Sequence, residues 1–323
     1  MTERENCPPA NGIDPRIREF ARRLHDAYAA HGVAETPVER RRIAELVRRP
    51  WRLGGPEMAE TRDMTVHGLR ARLHRPDLRR DDSPVMVYLH GGGWAVFSID
   101  THDRLMREYA ARAGIAVLGI DYSLSPEAKF PVAVREVVAV LQWVEDNAGA
   151  LGVDPACLLV GGDSAGANLA VSACLLRREA GRPPLAGMML SYGAFDPRPT
   201  ASYALYSGAG HTLDAGEMDA FWAAYIDSPA QLADPLVAPL RADLRDLPPA
   251  FLAIAEQDIL ADSNHDFAAR LERAGVDVRA MTYAGATHSF LEAVSIAPLA
   301  SRALDDQAAW IRQRCKARDH VAA

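Results

Sequence analysis

The chain has 323 residues, 49% of them hydrophobic, which is ample for one large core. Its formal net charge of −7 excludes roles that need excess basic charge, such as electrostatic binding to nucleic acid or to an anionic membrane surface. No run approaches the ~20 apolar residues that span a bilayer, and the opening MTERENCPPANGIDPR lacks the apolar stretch of a signal peptide, so no membrane contact and a cytoplasmic location are expected.

Residues 1–60 read as helices separated by Pro and Gly, a lid or flank rather than part of a sheet. In PRIREFARRLHDAYAAHG, Ile17, Phe20, Leu24, Ala27 and Tyr28 fall on one face. The basic stretch ERRRIAELVRRP keeps Ile43, Leu46 and Val47 at helical spacing, so its arginines are expected on a solvated face. From residue 63 the pattern changes: MTVHGLRARLHRP alternates as exposed strands do, and SPVMVYLHGGGW reads as a buried strand ending in glycines.

A βα rhythm follows, with helices around 102–113, 131–147 and 165–179, and strands at 115–121, 157–161 and 185–193. Such alternation predicts a mostly parallel sheet covered on both faces. Residues 194–245 break the rhythm and read as an insertion. The pattern then resumes with a strand at 250–258, the helix ADSNHDFAARLERAG, the strand VDVRAMTYAG and a last helix near 297–315. The organisation expected is a helical flank over 1–60 and a catalytic α/β domain over 61–323 that carries the insertion. The cysteines Cys7, Cys157, Cys174 and Cys315 are scattered without C-x-x-C spacing, so free thiols and no metal site are expected.

Reactive groups in open α/β sheets gather beyond the carboxyl ends of the strands. In LLVGGDSAGANLAVSACLLRRE an apolar strand turns abruptly into a helix at Ser164. Gly162 and Gly166 lack the Cβ atoms that would collide in so tight a turn, which leaves the serine exposed in a G-x-S-x-G elbow. A serine hydroxyl needs a base, and the base needs an acid to hold its tautomer. His288 follows the last strand and Asp258 the one before it, and the order Ser, Asp, His suits this architecture. Asp262 competes for the acid role but falls where a helix begins, which suits a cap. An oxyanion needs N–H donors, which Gly92, Gly93 and Ala165 can supply. The loop Gly91–Gly93 lacks the lysine and spacing of a phosphate-binding loop. Phe195, Tyr203, Tyr206, Phe221, Trp222 and Tyr225 in the insertion are read as internal packing, with no site role.

Taken together, HGGGW, DYSLSPEAKFP, GDSAGANLA, AEQDILAD and THSF resemble the hormone-sensitive-lipase-like group of bacterial α/β-hydrolases. Within it the chain is most similar to bacterial acetyl esterases, from about residue 40 to the C-terminus. The resemblance implies an α/β-hydrolase fold and a cofactor-free carboxylesterase for short acyl esters, capped by the N-terminal helices and the insertion. It puts nucleophile, acid and base on Ser164, Asp258 and His288 and the oxyanion donors on Gly92, Gly93 and Ala165. His90 then orients the glycine loop, and a homodimer is possible. Asp163 belongs to the motif without a chemical role the residues reveal. The rival readings are an amidase or peptidase on the same residues, or a non-catalytic small-molecule binder on the same fold.

Overall fold

The computed structural model describes residues 12–78, 82–208 and 210–319; Cys7 and most of the opening segment lie outside them. The expected α/β architecture is observed. The strands β1 (Glu60–Val66), β2 (Leu69–Arg75), β3 (Ser83–Leu89), β4 (Ala116–Ile120), β5 (Val153–Asp163), β6 (Gly187–Ser191), β7 (Ala250–Gln257) and β8 (Val278–Thr287) form one eight-stranded sheet. Its order is β1-β2-β4-β3-β5-β6-β7-β8, and β2 alone runs antiparallel to both of its neighbours. His67 and Gly68, both at positive φ, make the β1–β2 turn.

Helices α1 (Pro15–His31) and α2 (Pro37–Arg48) precede the sheet. Each starts where its sequence says it should. Asp14 and Thr36 accept backbone N–H groups of the first turn, and a proline follows each cap. Then come α3 (Asp103–Ala113), α4 (Val132–Asp146), the short α5 (Ala148–Leu151) and α6 (Ala165–Glu179). Between β6 and β7 lie α7 (Ala201–Leu205) and α8 (Ala215–Tyr225), and α9 (Ala261–Arg273) and α10 (Pro298–Asp319) complete the chain.

The period-two alternation of side chains divides the core. Val85, Val87 and Leu89 of β3 join the cluster containing Val137 and Leu141 of α4, Leu169 of α6 and Phe267 of α9. Met86 and Tyr88 point the other way, into the cluster of Leu105 and Tyr109 of α3, Leu304 and Ile311 of α10, and Ile17 and Phe20 of α1. Strands buried on both faces carry near-continuous apolar runs, as β4 and β6 do. Each such Val, Leu or Ile contributes roughly 1.5–3 kcal/mol.

Two expectations are corrected. Cys157 on β5 and Cys315 on α10 form a disulfide, with Cα atoms 5.8 Å apart across 158 residues of sequence. Helix α10 folds back beside β5, a proximity that spacing along the chain cannot show. Cys174 is the free, buried thiol among the described residues, and burial pushes its pKa up to about 12. The basic stretch of α2 is not simply solvated either. Arg48 is buried, Arg41 donates to the carbonyls of Ala95 and Ser125, and Arg40 pairs with Glu217 of α8. Leu46, read as part of the apolar face, is 39% exposed instead.

Candidate active site

Ser164 stands between the last residue of β5 and the first of α6, at φ +54° and ψ −116°. A non-glycine residue at positive φ is strained, and here the fold enforces it. The Ser164 N–H donates to Ser191 O at 2.9 Å, fixing the turn to the neighbouring strand. The flanking glycines are needed for close approach. A Cβ on Gly162 would lie 2.7 Å from the Gly166 carbonyl carbon, and one on Gly166 would overlap the Leu89 carbonyl of β3. The turn is thus tight within itself, and tighter still against the adjacent strand.

Three distant segments meet at this turn. His288 Nε2 lies 2.9 Å from Ser164 Oγ, and its Nδ1 lies 2.7 Å from Asp258 Oδ2. An ionised carboxylate can only accept, so Nδ1 carries the proton and Nε2 accepts from the serine hydroxyl. The second Asp258 oxygen accepts from Leu260 N–H at 3.0 Å, which orients the carboxylate. All three side chains are at least nine-tenths buried. Burial works against a charged His288, but the Asp258 charge and hydrogen bond outweigh it, so the pKa of His288 is raised above 6.5. Asp262 does not cap its own helix. It reaches instead to the insertion, where its carboxylate accepts the Ser202 N–H in the first turn of α7.

The glycine loop after β3 faces the same place. Gly92 and Gly93 have φ of +103° and +56°; a Cβ on Gly92 would crowd Val96 and Phe97, and one on Gly93 would enter the Phe221 ring. The N–H groups of Gly92, Gly93 and Ala165 have no hydrogen-bond partner among the described residues. A narrow cleft of about 40 Å³ is bounded by Ser164, His288, Gly92, Gly93, Phe97 and Phe221. Phe221 was read from sequence as packing alone, and nothing in its spacing set it apart. Its neighbours do pack: Tyr225 stacks on Trp94 at 4.3 Å, and Phe195 stacks on Phe267 at 4.1 Å.

Behind the loop lies a sealed polar cluster. Asp163 accepts from Tyr88 Oη at 2.7 Å and from Gly91 N–H at 3.0 Å, and His102 Nε2 lies 3.4 Å away. This gives Asp163 the physical role that sequence did not, since it ties the glycine loop to the serine turn. His90 stacks on Tyr122 at 4.4 Å, its Nδ1 lies 2.7 Å from Gly91 O, and Tyr122 Oη donates to His90 O. Burial, and then the neighbouring His102, lowers the pKa of His90 to about 3, so it stays neutral.

The family model described as the alpha/beta hydrolase fold matches residues 86–292, from β3 through the segment after His288. The chain belongs to the α/β-hydrolase fold family. Within this family it is hormone-sensitive-lipase-like. It is 35% identical over 303 residues to the carboxylesterase NlhH of Mycobacterium tuberculosis, covering 90% of this chain and 93% of that one. Among solved structures, the hyperthermophilic esterase of Pyrobaculum calidifontis superposes with a TM-score of 0.87 at 32% identity, covering 94% of this chain and 99% of that one. The thermophilic carboxylesterase EstE1 from a metagenomic library gives 0.83 at 36% identity, covering 88% and 99%. Family and relatives agree on the enzyme class, a carboxylic ester hydrolase. No helix among the described residues is long and apolar enough to cross a membrane.

Proposed function

We propose that this α/β-hydrolase is a serine carboxylesterase for short acyl esters, with Ser164 as nucleophile, His288 as base and Asp258 as the acid that orients it. The observation that carries this reading is the run of contacts from Asp258 through His288 to Ser164 Oγ, at 2.7 and 2.9 Å. His288 takes the hydroxyl proton as Oγ attacks the ester carbonyl. The oxyanion that forms accepts from the otherwise unpartnered N–H groups of Gly92, Gly93 and Ala165. Collapse of the tetrahedral species breaks the bond to the alkoxy oxygen, which His288 protonates. Water then attacks the acyl-enzyme by the same route, releasing the acid and restoring Ser164.

The size of the cleft supports the acyl limit. Where one water needs about 10–15 Å³, a cleft of about 40 Å³ suits an acetyl-sized group, and Phe221 stands over Gly93 in its wall. Helices α1 and α2 with residues 194–245 act as the cap in this reading, and residues 61–323 as the catalytic domain. Hydrolysis of p-nitrophenyl esters from acetate to dodecanoate should fall steeply beyond butyrate. Ser164→Ala should lose about 10⁶-fold in kcat and all covalent labelling by a fluorophosphonate. Turnover and labelling that survive the substitution would reject Ser164 as nucleophile; a flat chain-length profile would reject the acyl limit.

A further inference from the structure

A larger chamber adjoins the Ser164 cleft. It encloses about 340 Å³ between α1 and the segment leading into α8, and it shares Arg48, Thr212, Leu213 and Glu217 with the cleft. His25 and Asp214 form an exposed outer rim. The chamber therefore reaches solvent at this rim, and the cleft beside it holds Ser164.

Arg48 lines both spaces and is 4% exposed, yet its side chain makes no hydrogen bond among the described residues. Its Nε and Nη1 are enclosed and unpartnered. The nearest opposite charge is Glu292, with Oε2 3.4 Å from Nε, and both Glu292 oxygens also lack hydrogen-bond partners. Phe97 lies against the guanidinium at 4.8 Å. Burial works against the charge on Arg48, but Glu292 outweighs it and keeps the group protonated. Nη2 is not among the enclosed atoms and has no hydrogen-bond partner among the described residues, so it is the donor that an acceptor entering from the chamber can reach.

We infer that Arg48 recognises the leaving alcohol of the substrate, and that this alcohol is uncharged and rich in hydroxyl groups. The inference rests on the serine-esterase reading above. The alcohol leaves first while the acyl group stays on Ser164, so the alcohol belongs in the space that opens to solvent. Val96, Phe97, Met218 and Phe221 supply the cleft's apolar side chains, against which an acyl chain can pack. A plain alkyl alcohol would cover the Arg48 donors without satisfying them. A carboxylate is disfavoured because Glu292 already balances Arg48, Arg40 balances Glu217, and Asp214 adds like charge on the chamber wall. A cation is disfavoured by Arg48 itself. Hydroxyl groups accept from Arg48 and donate to Glu217.

The test compares glyceryl monoacetate with n-propyl acetate, whose alcohols differ only by two hydroxyls. Wild type should favour the glyceryl ester in kcat/KM by about tenfold or more. In Arg48→Met combined with Glu292→Gln, which leaves no buried charge behind, the ratio should fall to about one. Both esters are measured on one preparation, so partial misfolding cancels from the ratio. Should that variant not fold, Arg48→Lys, which keeps the charge and loses the fork, should still lower the ratio. A wild-type ratio near one, a ratio unchanged in the variants, or faster turnover of acetoxyacetate or acetylcholine than of glyceryl monoacetate would each overturn the inference. Failure of the underlying reading looks different: Ser164→Ala would then remain active on p-nitrophenyl acetate.

Discussion

Two buried aspartates flank the serine turn, each beside a histidine, and they stand in opposite surroundings. Asp258 meets His288 at 2.7 Å on the side that opens to the cleft, and the histidine passes on to Ser164. Asp163 meets His102 at 3.4 Å on the side sealed by Tyr88 and the glycine loop. In both pairs burial disfavours a charged histidine and the aspartate outweighs it, so both histidines titrate above 6.5. Residue type and electrostatics therefore do not separate chemistry from scaffold. What separates them is whether the second ring nitrogen reaches a group that faces substrate.

The sharpest break of this comparison is Asp258→Asn. The amide keeps the shape but can present its NH₂ to His288, favouring the wrong tautomer, and kcat should fall about 10⁴-fold. Stability, read by urea unfolding, should change far less than activity. Asp163→Asn should show the reverse balance. The amide oxygen can stand where Tyr88, Gly91 and His102 all meet Oδ1, but the negative charge that favours a protonated His102 is lost, so unfolding should become easier by roughly 3–5 kcal/mol, the cost of breaking a buried pair. Gly91 N–H keeps an oxygen to donate to, so the proposed oxyanion donors beside it stay in place and kcat should drop only a few-fold. Equal losses of activity in the two variants would erase the distinction.

The pairs also differ in what pH reads out. As the proposed base His288 must be neutral to accept the serine proton, so kcat/KM should rise with pH through one ionisation above 6.5. Asp258→Asn should move that ionisation down, whereas Asp163→Asn should move it less, since Asp163 acts on His288 from farther away. For stability the sealed pair gives a window. Burial opposes the Asp163 charge but His102 outweighs it, so the Asp163 pKa is lowered; its contribution is complete above the ordinary 3.8 and is lost as pH falls through the folded value. That of His102 is raised; its contribution is complete below 6.5 and is lost as pH rises through the folded value. The stability gap between wild type and Asp163→Asn should thus be widest between about pH 4 and 6.5. A gap that is constant with pH would show that the pair is not ionised.

Sequence exposed the open pair and hid the sealed one, for a physical reason. Ser164, Asp258 and His288 each end a strand or begin a helix, and parallel strands bring their ends together whatever the loops do. The elbow glycines are legible because close approach of backbones admits no other residue. Asp163 forms its contacts through β3 and α3, and only the register of β3 against β5, with Leu89 opposite Gly162, makes them neighbours. Arg48 and Cys315 were hidden by the same kind of distance. Helix α2 reads as a basic surface until it is docked against the segment after His288, and α10 reads as one more amphipathic helix until it lies beside β5. The insertion is least legible, because its aromatics all have the composition of packing and, among the described residues, only Phe221 of them lines the Ser164 cleft.

That one residue gives the smallest predicted effect. Phe221 stands over Gly93 with Arg40 4.5 Å from its ring centre, so its position is fixed from α2 as well as from α8. Phe221→Ala should lengthen the cleft without touching Ser164, His288 or Asp258. Each methylene that gains a place in an apolar pocket is worth roughly tenfold in discrimination. The ratio of hexanoate to acetate turnover should therefore rise about tenfold, with acetate kcat falling only a few-fold. Trp222→Ala, which empties the neighbouring contact on Trp94, should leave the ratio where it was, since Trp222 packs at 4.6 Å on Trp94 and lies outside the residues that line the Ser164 cleft. An equal shift in both variants would mean that chain length is set by how firmly the insertion docks, and not by the ring above Gly93.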